Sequence, residues 1–248
     1  MCQNNSGYRL QLFAIAISFH AWHNKSNLKP EIVFQNMDIK YKNETKFLGL
    51  YFTEDVNWDV QIKHVCNTLD KNYYVIYSHL NITSINTLRS IQFANFHLHL
   101  KYGILSWGGD SQSTKVFKLQ KKVVRLIRNV KRKTSCRELF RTLNILPVPC
   151  VYTMETVYCV KVNNKGLKQN LAIHDYETQH TADFQTQFCT TDIFKKSVIN
   201  LGTKLYNKLP NYLKNLESLK PFKKQLKVFL LQQTFYSVDE YLCCMQAP

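Results

Sequence analysis

Two adjacent pairs of acids, Glu54-Asp55 and Asp239-Glu240, are the candidates for metal-assisted chemistry in this sequence. A two-metal centre needs carboxylates close enough to share Mg²⁺, and neither an Asp-Asp pair nor an Asp-x-Asp spacing occurs. Glu54-Asp55 precedes a helical pattern and reads as a capping feature; Asp239-Glu240 stands beside Tyr241, near the C-terminal end. Neither is expected to hold a metal. Imidazoles offer His20-x-x-His23 and His97 with His99, but no third ligand of suitable type stands nearby, so these read as ordinary polar or part-buried histidines. The eight cysteines, Cys2, Cys66, Cys136, Cys150, Cys159, Cys189, Cys243 and Cys244, include no C-x-x-C spacing, and no zinc knuckle is legible. Lys133 and Arg137 could lower the thiol pKa of Cys136, yet no base is placed to use it, and a buried thiol is the default. Neither G-x-x-x-x-G-K-[ST] nor G-x-G-x-x-G occurs among the dispersed glycines. No catalytic residue, metal or cofactor is therefore expected of this chain.

Positive charge is the stronger chemical signal. Lys and Arg number 33 against 17 Asp and Glu, a formal charge of +16 that favours an anionic partner. Between Lys115 and Arg141 the cations concentrate, with Glu138 the only acid. Lys118, Lys121, Arg125, Arg128 and Arg132 recur at steps of three and four, and Val116, Leu119, Val123, Leu126 and Ile127 fill apolar positions of the same expected helix. Like charges so spaced destabilise an isolated helix by roughly a few tenths of a kcal/mol per pair, a repulsion that an anion would offset. A phosphate backbone fits best, and the candidate contacts are Lys118, Lys121, Lys122, Arg125, Arg128, Arg132, Lys133 and Arg137. The competing reading is a solvated helix face. A membrane surface fits less well, because the apolar face lacks Trp and is needed for a core. A second group, Lys195, Lys196, Lys204, Lys208, Lys214, Lys220, Lys223, Lys224 and Lys227, is all lysine and reads as solvated helix faces.

The elements that must position these charges follow from hydrophobic periodicity. Glu31 to Phe34, Ile39 to Tyr41 and Lys46 to Phe52 read as strands of a small antiparallel sheet, with a bulge or close approach at Gly49. Trp58, Ile62, Val65, Leu69, Tyr73, Ile76 and Leu80 then predict a long helix with one buried face. Thr83 or Ser84 caps a second helix through Leu100 that Gly103 ends or bends, and Trp107-Gly108-Gly109 is a turn. Ser113 or Thr114 caps the basic helix, expected to run to about Val130. Pro147 and Pro149 mark a break before a helix through Val151, Met154, Tyr158 and Val162. Asn163 to about Thr191 reads as a surface loop or linker, and amphipathic helices resume over Ile193 to Leu209 and Leu219 to Phe235.

A hydrophobic content of 45% supports a real core, and no apolar run approaches the ~20 residues of a membrane span. Leu10 to Phe19 lacks the pattern of a cleaved signal. A soluble protein in a reducing compartment, nuclear or cytoplasmic, is expected, and the Asn-x-Ser/Thr triplets at Asn4, Asn24, Asn43 and Asn81 are read as silent.

The run Lys46-Phe47-Leu48-Gly49-Leu50-Tyr51-Phe52, followed by Asp55, Trp58 and Ile62, resembles the aromatic-leucine-glycine strand and following helix of non-LTR retrotransposon reverse transcriptases. Leu100-Lys101-Tyr102-Gly103-Ile104 with Trp107-Gly108, Leu119-Gln120-Lys121-Lys122 with Arg125, and Ser135 to Phe140 with Ile145-Leu146-Pro147 resemble that family's later signatures, in the same order. Lys204 to Pro210, Phe222-Lys223 and Phe235 to Leu242 are similar to the end of jockey-like elements. The resemblance covers about residues 27 to 242. It departs from the family at Asn27-Leu28-Lys29-Pro30-Glu31, where a lysine-threonine pair is usual, and in lacking the aromatic-Ala-Asp-Asp metal motif.

The resemblance implies a mainly α chain with a small N-terminal antiparallel β element (α+β). Residues 1–54 would be a palm remnant, 55–146 a thumb-like helical bundle and 147–248 a C-terminal helical extension. A thumb grips a primer-template without doing chemistry, so the implied ligand is RNA or RNA-DNA hybrid. Mg²⁺ belongs only to a full-length relative, and a catalytic segment of the same element is a further implied partner. The expectation is a truncated polymerase fragment, inactive alone. A non-catalytic protein-interaction module and an inert remnant stay open beside it.

Overall fold

The computed structural model describes residues 32–34, 37–39, 41–163, 183–186 and 188–244. Leu10 to Phe19, His20-x-x-His23, Asn27 to Glu31 and most of the expected linker lie outside them. The chain divides into two units, residues 1–61 and 62–248. It is mainly α, with a small antiparallel β element near the N-terminus.

In the first unit, β1 (Val33–Phe34) pairs with β2 (Met37–Asp38), and β3 (Glu44–Phe47) pairs with β4 (Leu50–Thr53). The two hairpins are separate rather than one sheet. The single strand expected over Lys46 to Phe52 is in fact the second hairpin's turn with its flanks, because Leu48 and Gly49 take φ of 46° and 82°. Positive φ at both central residues gives the tight turn whose twist matches its strands, so Gly49 makes a turn and not a bulge. Phe52 meets Trp58 edge-on at 5.7 Å, and Gln61 Oε1 accepts from the Tyr51 N–H at 3.0 Å. Thr53 and Asn57 side chains hold the turn into the next helix: the Asn57 N–H donates to Thr53 Oγ1, and the Asp59 N–H to Asn57 Oδ1.

α1 (Asp59–His79) carries Ile62, Val65, Leu69 and Ile76 as a buried stripe at helical spacing. Ser84 caps α2 (Ile85–Ile91) by accepting from the Thr87 N–H. The helix then widens into a π segment, Gln92–His97, before α3 (Leu98–Lys101), and Gly103 at φ 63° ends it. α4 (Ile104–Trp107), a short helix not anticipated, buries Trp107, and the chain turns at Gly108 and Gly109 as expected. A Cβ on Gly108 would stand 2.5 Å from the Ile104 carbonyl oxygen and 2.5 Å from the Tyr152 ring. The glycine therefore lets Tyr152 close over the turn.

α5 (Ser113–Ile127) buries Val116, Phe117, Gln120, Val123, Val124 and Ile127. Its entry is held by Asp110 Oδ1 accepting from the Gln112 N–H, not by a hydroxyl of Ser113 or Thr114. It stops at Ile127, short of Val130, because Asn129 turns left-handed at φ 49°. The Val130 N–H then donates to the Arg125 carbonyl and the Asn129 N–H to that of Leu126, satisfying carbonyls the helix end would leave open. α6 (Arg137–Thr142), not anticipated, ends the same way at Asn144.

α7 (Val148–Val162) opens after Pro147 with Pro149 in its first turn, where a missing N–H costs nothing. It is buried on nearly every side and packs against α3, α4, α5, α9 (Val198–Asn207), α11 (Leu219–Gln233) and α12 (Val238–Cys244). The helices before and after Pro147 thus share one core, and the division expected there falls inside the second unit. α8 (Asp192–Lys195) and α9 break the helix expected over Ile193 to Leu209, and α10 (Asn211–Lys214) follows. Asp183 and Phe184, at the end of the expected linker, are buried: both amide atoms of Asn207 bond the Phe184 backbone. Among the described residues no helix is long and apolar enough to cross a membrane.

Candidate nucleic-acid interface

The cationic block divides by what each side chain touches. Lys118, Lys122, Arg128, Arg132 and Lys133 are exposed, while Lys121, Arg125 and Arg137 are partly buried. Lys121 Nζ lies 4.5 Å from the Phe117 ring centroid and 5.4 Å from that of Tyr236. Arg137 holds the C-terminal segment. It donates to the Thr234 carbonyl at 3.1 Å and to Glu240 Oε1 at 2.6 Å, and its guanidinium sits 4.4 Å from the Tyr236 ring centroid. Arg125 Nε donates to the Thr134 carbonyl at 2.9 Å, tying the turn after α5 back to the helix.

The step from Arg128 to Arg132 is not helical, since α5 has already ended. Instead the turn folds Arg132 back toward the helix. Asp70, Tyr73 and Tyr74 from α1, Lys122, Arg125 and Leu126 from α5, and Val130 and Arg132 from the turn line one cleft of about 440 Å³. Lys118, one turn before Lys122, together with Arg128 and Lys133, adds exposed charge on α5 and its following turn. The tyrosines were missed as site residues, because Tyr73 continues the apolar spacing of α1 and was assigned to the core. The signal was its neighbour: Tyr74 lies off that stripe and is 69% exposed.

The remaining candidates take structural places. Glu240 Oε2 accepts from the Tyr236 N–H at 2.6 Å. Burial pushes the Glu240 carboxyl up, but the Tyr236 N–H and the Arg137 guanidinium outweigh it and hold the group below its ordinary value. Burial pushes the Cys136 thiol up despite nearby Arg125 and Lys121, so it is not an activated nucleophile. His97 is lowered to about 4 by burial, with Lys101 and Lys227 adding to the effect and Glu155 opposing it. Gln120 is fully buried and bridges the Leu146 carbonyl and the Val148 N–H, each at 2.8 Å. Lys214, read from the sequence as solvated, is 10% exposed and pairs with Asp183 at 2.7 Å. Among the described residues no group of three or more His, Cys, Asp and Glu side chains could hold a metal ion.

No family model, curated protein or solved structure matches the chain.

Proposed function

We propose that this chain binds nucleic acid through the cationic surface of α5 and its following turn, as the thumb-bearing segment of a non-LTR retrotransposon reverse transcriptase would. Its ligand is RNA or an RNA-DNA hybrid, and it does not polymerise alone. One observation carries the reading: Lys118, Lys122, Arg128, Arg132 and Lys133 are exposed within a stretch whose only acid is Glu138. Glu138 is engaged by Arg141. So much unneutralised charge on one short stretch favours a polyanion. The resemblance along the sequence adds the kind of polyanion.

The test is a binding titration of the chain with a short RNA-DNA primer-template at several salt concentrations. Affinity should fall steeply with salt, and joint replacement of those five cations by Gln should abolish most of that dependence. A second reading has its own observation: Leu98 and Tyr102, four residues apart on α3 and its cap, are 62% and 55% exposed. Salt-insensitive capture of a protein partner through that face would favour an interaction module.

A further inference from the structure

The cleft between α1 and α5 has two unlike walls. On α1, the Tyr73 and Tyr74 ring centroids lie 5.9 Å apart with their planes at 83°, so one ring can offer a face while the other offers an edge. Tyr74 is 69% exposed, and its ring is not spent on the core. Opposite stand Lys122, Arg125 and Arg132, with Asp70 as the one acid of the lining.

We infer that this cleft holds an unpaired nucleotide, with its base stacked on the α1 tyrosines and its phosphate held by Lys122 and Arg132. The inference rests on the nucleic-acid reading above and specifies which part of the ligand enters. A base inside a duplex has both faces covered by its neighbours, so a surface tyrosine can meet a base face only where the strand is unpaired. A volume of about 440 Å³ suits one small planar group with its phosphate rather than a helix. The same chemistry would take a free nucleotide or one within a strand. Lys118, Arg128 and Lys133, exposed beyond the cleft lining, favour the strand, whose further phosphates they can meet.

The experiment measures binding of the full chain to a fluorescent oligouridylate, to a blunt RNA-DNA duplex of equal length, and to the oligouridylate with uridine monophosphate as competitor. Wild-type protein should prefer the single strand, and the free nucleotide should not compete. Tyr74→Ser should weaken single-strand binding by about 10-fold or more, the scale of one stacked base, without changing duplex binding. Tyr74→Phe should restore it. Because Tyr74 is exposed, neither change threatens the fold, and a matching thermal melt checks this. Equal binding of the single strand by wild type and Tyr74→Ser would overturn the cleft's role while leaving the cationic grip intact. Competition by the mononucleotide at low concentration would overturn the strand assignment. Absence of binding to either nucleic acid at low salt would remove both readings together.

Discussion

The partly buried Arg137 guanidinium meets a carbonyl, a carboxylate and an aromatic ring from the last stretch of the chain, so it serves to hold that stretch. Arg137→Gln should cost about 1.5 to 3 kcal/mol in a urea titration, the range for lost charge-assisted hydrogen bonds, and should leave nucleic-acid affinity nearly unchanged. A large affinity loss at unchanged stability would instead place Arg137 in the interface. Glu240 makes the same contact pH-dependent. Its carboxyl is held below its ordinary value in the folded chain, so its contribution is full above the unfolded pKa and is lost as pH falls through the lowered one. Which cations stay exposed and which hold the fold was not legible in the sequence. Arg137 and Glu240 stand 103 residues apart, and Lys214 and Asp183 stand 31 apart, pairings that no local pattern announces.

At the scale of elements, Gly108 and the π segment carry the clearest consequences. Gly108→Ala would drive a methyl into Tyr152 and the Ile104 carbonyl, and should destabilise by about 1 to 3 kcal/mol, read as a shifted urea midpoint. His97, at the end of the π segment, rings edge-on with Phe93 at 5.3 Å. With its folded pKa lowered to about 4 from 6.5, the unfolded chain binds the proton more readily. Stability from this group is therefore full above pH 6.5 and is lost as pH falls toward 4. Between pH 7 and 5 the loss should be about 1 to 2 kcal/mol, and His97→Phe should remove that part of the pH dependence. An unchanged profile in the variant would mean that His97 binds its proton equally readily in the folded and unfolded chains. α1 and α11 were legible because apolar residues recur at helical spacing along their length. The end of α5 was not, since the basic and apolar spacing runs on through Val130 while Asn129 turns the backbone left-handed. α6, α10 and α12 are too short for periodicity to mark them.

Over the whole molecule, the mainly α class with a small β element follows from the shift between short β-rich runs and helical spacing after Asp55. The partition of the helices does not follow. Pro147 looked like a boundary, yet α7 begins there and becomes the centre on which the flanking helices pack. That core leaves Lys118, Lys122, Arg128, Arg132 and Lys133 exposed, and the proposed grip depends on their charge reaching phosphates. The most direct test is the salt dependence of primer-template binding for wild type and for the variant with all five replaced by Gln. Each phosphate contact contributes about 0.7 to 0.9 to the slope of log affinity against log salt, so the variant should lose roughly 3.5 to 4.5 units of slope along with most of its affinity. A folded variant that keeps the wild-type slope and affinity would contradict a nucleic-acid interface on this surface.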